Sequence, residues 1–188
     1  DIVLVHAIGG GVGLYLTQMA VAAGATVIGT IGTPGKEARS LELGATAVVN
    51  RNETDFVAAV AEIAGRPIDK IYDCTGATIL DRSFELIRQL GHVVSFGEAE
   101  GRPLPNLWER LVRKSLTFTR FHLGHVDFGS EIWKESLGAV TGAVAEGRLS
   151  VPIEGVFPLD QVAAMYARLE SRQVPGELVL AVNPDLGT

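Results

Sequence analysis

The run Val3-Leu4-Val5-His6-Ala7-Ile8-Gly9-Gly10-Gly11-Val12-Gly13-Leu14 constrains this chain more than any other stretch. A short apolar, β-branched segment ends in glycines, and a helix-forming pattern follows at once. Strand, glycine turn and helix start are what a dinucleotide pyrophosphate requires: backbone without Cβ atoms lets the phosphates approach, and the helix N-terminus offers free N–H groups and the positive end of its dipole. In the G-x-G-x-x-G frame, Gly10 and Gly13 fill the second and third positions while Ile8 stands at the first. A non-glycine fits there if its φ is negative. The competing reading is a turn whose glycines serve chain reversal alone.

The following segments repeat the same rhythm. Strands are expected at 2–6, 26–30, 47–49, 68–72 and 92–96, alternating with helices at 12–23, 35–43, 54–64 and 79–88. Gly24, Gly44 and Gly65 stand at helix ends, where glycine takes left-handed backbone at little cost. Such alternation predicts an α/β fold, a Rossmann-type doubly wound parallel sheet of order 3-2-1-4-5-6. Beyond Gly97 the rhythm changes. Pro103 and Pro105 lead to an amphipathic segment at 106–114, then a strand at 116–121, a helix at 130–146, a strand at 151–157, a helix at 159–171 and a last strand at 178–182. The predicted division is a nucleotide-binding domain over 1–127 and a C-terminal α/β extension over 128–188. A core strand at the very start of the chain reads as the edge of a piece cut from a longer protein.

Composition narrows the function classes. A formal net charge of −6 over 188 residues argues against a nucleic-acid or anionic-membrane surface. No apolar run spans a bilayer, and no signal peptide is recognisable. Cys74 is the single cysteine, which excludes an intrachain disulfide and a cysteine-rich zinc site and fits a reducing, cytoplasmic setting.

The end of the second strand selects the nucleotide. An acidic residue there takes the ribose hydroxyls of NAD, whereas small or basic residues leave room for the 2′-phosphate of NADP(H). The sequence is Thr30-Ile31-Gly32-Thr33-Pro34-Gly35-Lys36, with no carboxylate before Glu37. Thr33 and Lys36 can donate hydrogen bonds to a phosphate, and Arg51 after the third strand reaches the same corner; NADP(H) is the expected cofactor. The plainer reading of Lys36 is a solvated first-turn residue. The missing acid also weakens a methyltransferase reading.

His6 through Leu14, Gly29 through Lys36, Leu43-Gly44-Ala45, Tyr72-Asp73, Ser95-Phe96-Gly97 and Leu169-Glu170-Ser171-Arg172 fall in an order that resembles the NADPH:quinone oxidoreductase, zeta-crystallin-like branch of the medium-chain dehydrogenase/reductase superfamily. The resemblance implies a zinc-independent reductase transferring hydride to a quinone or an α,β-unsaturated carbonyl. Its N-terminal GroES-like catalytic domain would be absent from this chain, and residues beyond about 128 would partly return to it. It assigns Gly10, Gly11, Val12 and Gly13 to the pyrophosphate turn, with alanine usual where Ile8 stands. Gly32, Thr33 and Lys36 match the adenosine-phosphate loop. Arg51 replaces a frequent tyrosine beside the adenine or phosphate, Cys74 replaces a small residue facing the cofactor, Phe96 and Gly97 match the end of strand five near the nicotinamide, and Arg172 matches an arginine near the 2′-phosphate. Glu98 and Glu100 depart from the pattern, replacing small or neutral polar residues.

No catalytic acid or base is assigned, since hydride chemistry belongs to the cofactor; on the resemblance, most substrate contacts lie outside this chain and the piece alone is expected to be inactive. His122 and His125 form an H-x-x-H that with Asp127 or Glu131 is a conceivable metal site, but a loop or interface role is the simpler reading, and no metal is expected. Asp73 is expected to order a turn. The alternating strand at 116–121 reads as a sheet edge for homodimer pairing. Rival functions are an enoyl reductase module of a polyketide or fatty-acid synthase, and a non-catalytic NADPH-binding sensor or structural protein.

Overall fold

The computed structural model describes residues 1–102 and 106–182. Six parallel strands, β1 (Ile2–His6), β2 (Thr26–Ile31), β3 (Ala47–Asn50), β4 (Ile68–Asp73), β5 (Ile87–Ser95) and β6 (Thr117–Arg120), form one sheet in the order β3-β2-β1-β4-β5-β6. The order reverses between β1 and β4, which places a switch point at the C-terminal end of β1. The helices are α1 (Gly11–Ala22), α2 (Glu37–Glu42), α3 (Phe56–Ala64), α4 (Ala77–Leu86) and α5 (Leu107–Val112). A C-terminal portion adds α6 (Glu131–Ala145), β7 (Ile153–Pro158), α7 (Val162–Glu170) and β8 (Glu177–Ala181), with β7 and β8 paired in parallel as a separate two-stranded sheet.

The strand period of two sorts β1 between two cores. Ile2 and Leu4 pack with Phe56, Val60, Ile71, Leu80 and Phe84 beneath α3 and α4. Val3 and Val5 join Ile8, Val27 and Ile31 on the opposite face. All five β1 residues are buried, as the central strand of a covered parallel sheet requires. At the strand's entry, buried Asp69 accepts from the Ile2 backbone N–H at 2.7 Å and pairs with Arg66 and Arg88. Those contacts, Arg66 foremost, hold its carboxyl far below the ordinary carboxylate range.

Several boundaries differ from the sequence reading. The helix expected at 35–43 is only Glu37–Glu42, because Gly35 takes φ +89° in the preceding turn. That expected at 54–64 starts at Phe56, where Asp55 caps it by accepting from Val57 N–H at 3.0 Å. The helix expected at 79–88 is α4, Ala77–Leu86; extended backbone begins at Ile87, and β5 carries a left-handed residue, Leu90 (φ 57°), before its regular pairing from His92. The helix expected at 159–171 opens as a single 3-10 turn over Leu159–Gln161. Pro103 and Pro105 lie outside the described residues. Among the described residues no helix is long and apolar enough to cross a membrane.

Candidate functional site

A cleft of about 400 Å³ opens at the C-terminal ends of β1 to β4. Its first wall is the turn after β1. Ala7, not Ile8, takes left-handed backbone there (φ 52°), and its carbonyl accepts from Gly10 N–H at 2.9 Å. Ile8 therefore needs no glycine-only conformation. Its side chain is fully buried in a space that exists because Gly29 of β2 lacks a side chain: a Cβ at Gly29 would collide with the Ile8 side chain. Gly13 lets α1 press on the turn, since a Cβ there would lie 2.6 Å from the Ile8 carbonyl oxygen. Gly10 is the α1 N-cap, with no side-chain hydrogen bond and no acidic residue in the first turn of the helix. These features leave the first N–H groups of α1 without a capping side chain, and the carboxylate that lies against Gly11 comes from Glu177.

The second wall carries the cations. Lys36 is half-buried, and a Cβ at Gly9 would lie 2.6 Å from its own Cβ, so its stem lies against the glycine turn. Burial first, and then the positive charge of Arg172, push the Lys36 ammonium below its ordinary value. Thr33 and Gly32 complete this corner. Glu37 does not enter the cleft lining; its carboxylate accepts from Gly35 N–H at 2.8 Å. Arg51 sits at the end of β3, its guanidinium against Gly32, where a Cβ would meet Nη2 at 2.7 Å.

Cys74 and Thr75, after β4, line the far side. Burial pushes the Cys74 thiol up to about 11, with Asp73 adding to the shift, so it is neutral and unreactive near neutrality. Asp73 accepts from the Thr75 and Gly76 N–H groups and from the Thr75 hydroxyl at 2.6 Å, ordering the turn. Just below, His6 bridges Thr30 and Ser83, each at 2.8 Å, and burial lowers its pKa to about 4. It is a neutral structural group tying β1 to β2 and α4.

The structure brings Gly10, Gly11, Gly32, Thr33, Lys36, Arg51, Cys74 and Arg172 into one cleft. Val12, Gly13, Phe96 and Gly97 lie outside its lining: Val12 is exposed, Gly13 faces the turn, and Gly97 packs on Cys74, with a Cβ there 2.6 Å from the Cys74 carbonyl oxygen. Phe96 N–H donates to the Asp73 carbonyl at 2.8 Å. Glu98 pairs with Arg120 at 3.0 Å, and Glu100 with Arg51. Sequence reasoning did not single out Gly9, Asn52, Thr75 or Val174, which line the cleft, or Glu177, whose carboxylate a Cβ at Gly11 would strike. The triple-glycine run was a signal for Gly9; Glu177, far along the chain, had none. The rings of His122 and His125 lie 4.9 Å apart, and among the described residues no group of three or more His, Cys, Asp or Glu is arranged to hold a metal ion.

Residues 11–141 match the family described as zinc-binding dehydrogenase. A 2-haloacrylate reductase from Burkholderia sp. is 34% identical over 183 residues, covering 96% of this chain and 55% of that protein. Quinone oxidoreductase 1 of Escherichia coli is 34% identical over 182 residues, covering 94% and 55%. The crystal structure of an Escherichia coli quinone oxidoreductase complexed with NADPH superposes with a TM-score of 0.86 at 33% identity, covering 96% of this chain and 56% of that one. The chain thus spans about 55% of the length of these curated relatives.

Proposed function

The chain belongs to the zinc-binding dehydrogenase family, and we propose that it is the NADPH-binding portion of an oxidoreductase that delivers hydride to a quinone or an α,β-unsaturated carbonyl. One observation carries the cofactor reading: the cleft joins an uncapped helix N-terminus, at Gly10 and Gly11, to a cationic corner of Lys36 and Arg172, with no carboxylate at the end of β2. The backbone at Gly10 and Gly11 would hold the pyrophosphate. Lys36, Arg172 and the Thr33 hydroxyl would hold the 2′-phosphate, and Cys74 and Thr75 would floor the channel towards the nicotinamide. When bound, the reduced nicotinamide supplies the hydride; the residues here bind, orient and exclude water.

Relatives bearing reductase and quinone oxidoreductase names support the reaction class. Among the described residues no group of three or more His, Cys, Asp or Glu is arranged for a metal ion, and none of the residue roles proposed here uses one. Residues 1–127 form the nucleotide-binding domain, and 128–188 contribute to a substrate domain outside this chain. The free edge of β6 pairs two copies, and the working compartment is the cytoplasm. Calorimetric titration tests the cofactor reading. NADPH is expected to bind at least about tenfold more tightly than NADH, and Lys36→Ala or Arg172→Ala to remove most of that margin, each phosphate-binding cation being worth roughly 1.5–3 kcal/mol. Equal affinity for the two nucleotides would sink it.

A further inference from the structure

Arg51 and Glu100 stand at the two departures from the family pattern that face each other across the cleft. Arg51 projects from the end of β3, with its side chain only 11% exposed. Its Nη2 is paired with Glu100, while Nη1 is buried and has no hydrogen-bond partner. Glu100 is presented by a turn fixed at both ends. Its own N–H donates to the Thr75 carbonyl at 2.8 Å, Ala99 N–H to the Cys74 carbonyl at 3.2 Å, and Gly101 N–H to the Glu98 carbonyl at 3.0 Å. Gly76 (φ +73°) admits this turn, since a Cβ there would collide with the Gly101 carbonyl. The ion pair thus runs from β3 to the turn after β5, across the mouth of a cleft that both residues line.

A half-satisfied, buried guanidinium already holding one carboxylate is an anion site with an internal occupant. Resting on the NADPH reading above, we propose that Glu100 is a specificity-determining residue, competing with the cofactor's 2′-phosphate for Arg51. A dinucleotide bearing that phosphate must draw Arg51 away from Glu100 and then meets like charge from its carboxylate. One with two ribose hydroxyls meets neither cost in full. Glu100 therefore narrows the preference that Lys36 and Arg172 create.

The test titrates NADPH and NADH into the full chain and into Glu100→Gln, Glu100→Ser, Arg51→Tyr and the Arg51→Tyr/Glu100→Gln pair, with Arg51→Gln as a second arginine-free background. The expected result is about tenfold tighter NADPH binding for both Glu100 variants and less than about threefold for NADH, with the gain abolished once Arg51 is replaced. Unchanged NADPH affinity in both Glu100 variants overturns the proposal. So does equal tightening of both nucleotides, or a gain that persists without Arg51. Weaker NADH binding in Glu100→Gln also overturns it, by making Glu100 an acceptor for ribose hydroxyls. Failure of the unsubstituted chain to bind NADPH removes the cofactor reading as well, whereas NADPH binding that the Glu100 substitutions leave unaltered removes the competition alone.

Discussion

β1 and α6 are both rich in apolar residues, yet β1 buries every one of its five residues and α6 buries none of its fifteen. β1 lies between β2 and β4 with helices over both faces, so each side chain has a partner whichever way it points. α6 leaves Ile132 78% exposed, with Leu137, Val140 and Val144 also open to solvent. The chain after it meets the nucleotide-binding half at Gln18 of α1, whose amide oxygen accepts from Ser150 N–H at 2.8 Å, and at the cleft that Arg172 and Val174 line. Periodicity selects a face; only an opposing surface turns that face into stability.

Urea unfolding tests the contrast most directly. Leu4→Ala, at a fully buried position, is expected to cost about 3–4 kcal/mol, and Ile132→Ala to stay within about 0.5 kcal/mol. A comparable loss at Ile132 would break the comparison. A second test sharpens it through the buried polar group of β1. Folded His6 titrates at about 4 and the unfolded residue at its ordinary 6.5, so within that window the unfolded chain binds the extra proton. Stability is then complete above about pH 6.5 and falls as the pH drops towards 4, by up to roughly 3 kcal/mol. Denaturation series at several pH values on the parent and on His6→Gln isolate this contribution. An unchanged pH slope in the variant would remove His6 as its source. The third test is smaller and concerns packing at the turn. Gly29→Ala overfills the space taken by Ile8 and is expected to cost about 2 kcal/mol. Combined with Ile8→Ala, the loss should undercut the sum of the single changes by about 1 kcal/mol or more.

The sheet was legible in the sequence because its signals are local: a β-branched run, a glycine, an amphipathic helix, repeated. The strand order and the placing of Lys36, Arg51 and Arg172 in one cleft agree with that reading. What escaped it depends on groups distant along the chain. Glu100 was legible as a departure from the family pattern with a bearing on cofactor grip, but its pairing with Arg51 appears only once the fold sets the two opposite. Glu177 reaches the α1 N-terminus through the pairing of β8 with β7, which no local pattern announces. The early end of α4 was missed for a different reason: Ile87 and Arg88 continue a helical pattern, yet Ile87 enters the sheet beside Ile68. Tertiary pairing outweighed helix propensity there.

The nesting of Ile8 into the space left by Gly29 also limits which substitutions the pair can accept. Isoleucine at 8 against a larger residue at 29 would meet a filled core, whereas glycine at 29 without isoleucine at 8 would leave only a gap to be filled. The two positions are therefore coupled in one direction: a side chain as large as isoleucine at 8 requires that 29 carry none. Position 8 can still shrink alone, at the cost of a gap, whereas position 29 cannot regain a side chain until it does.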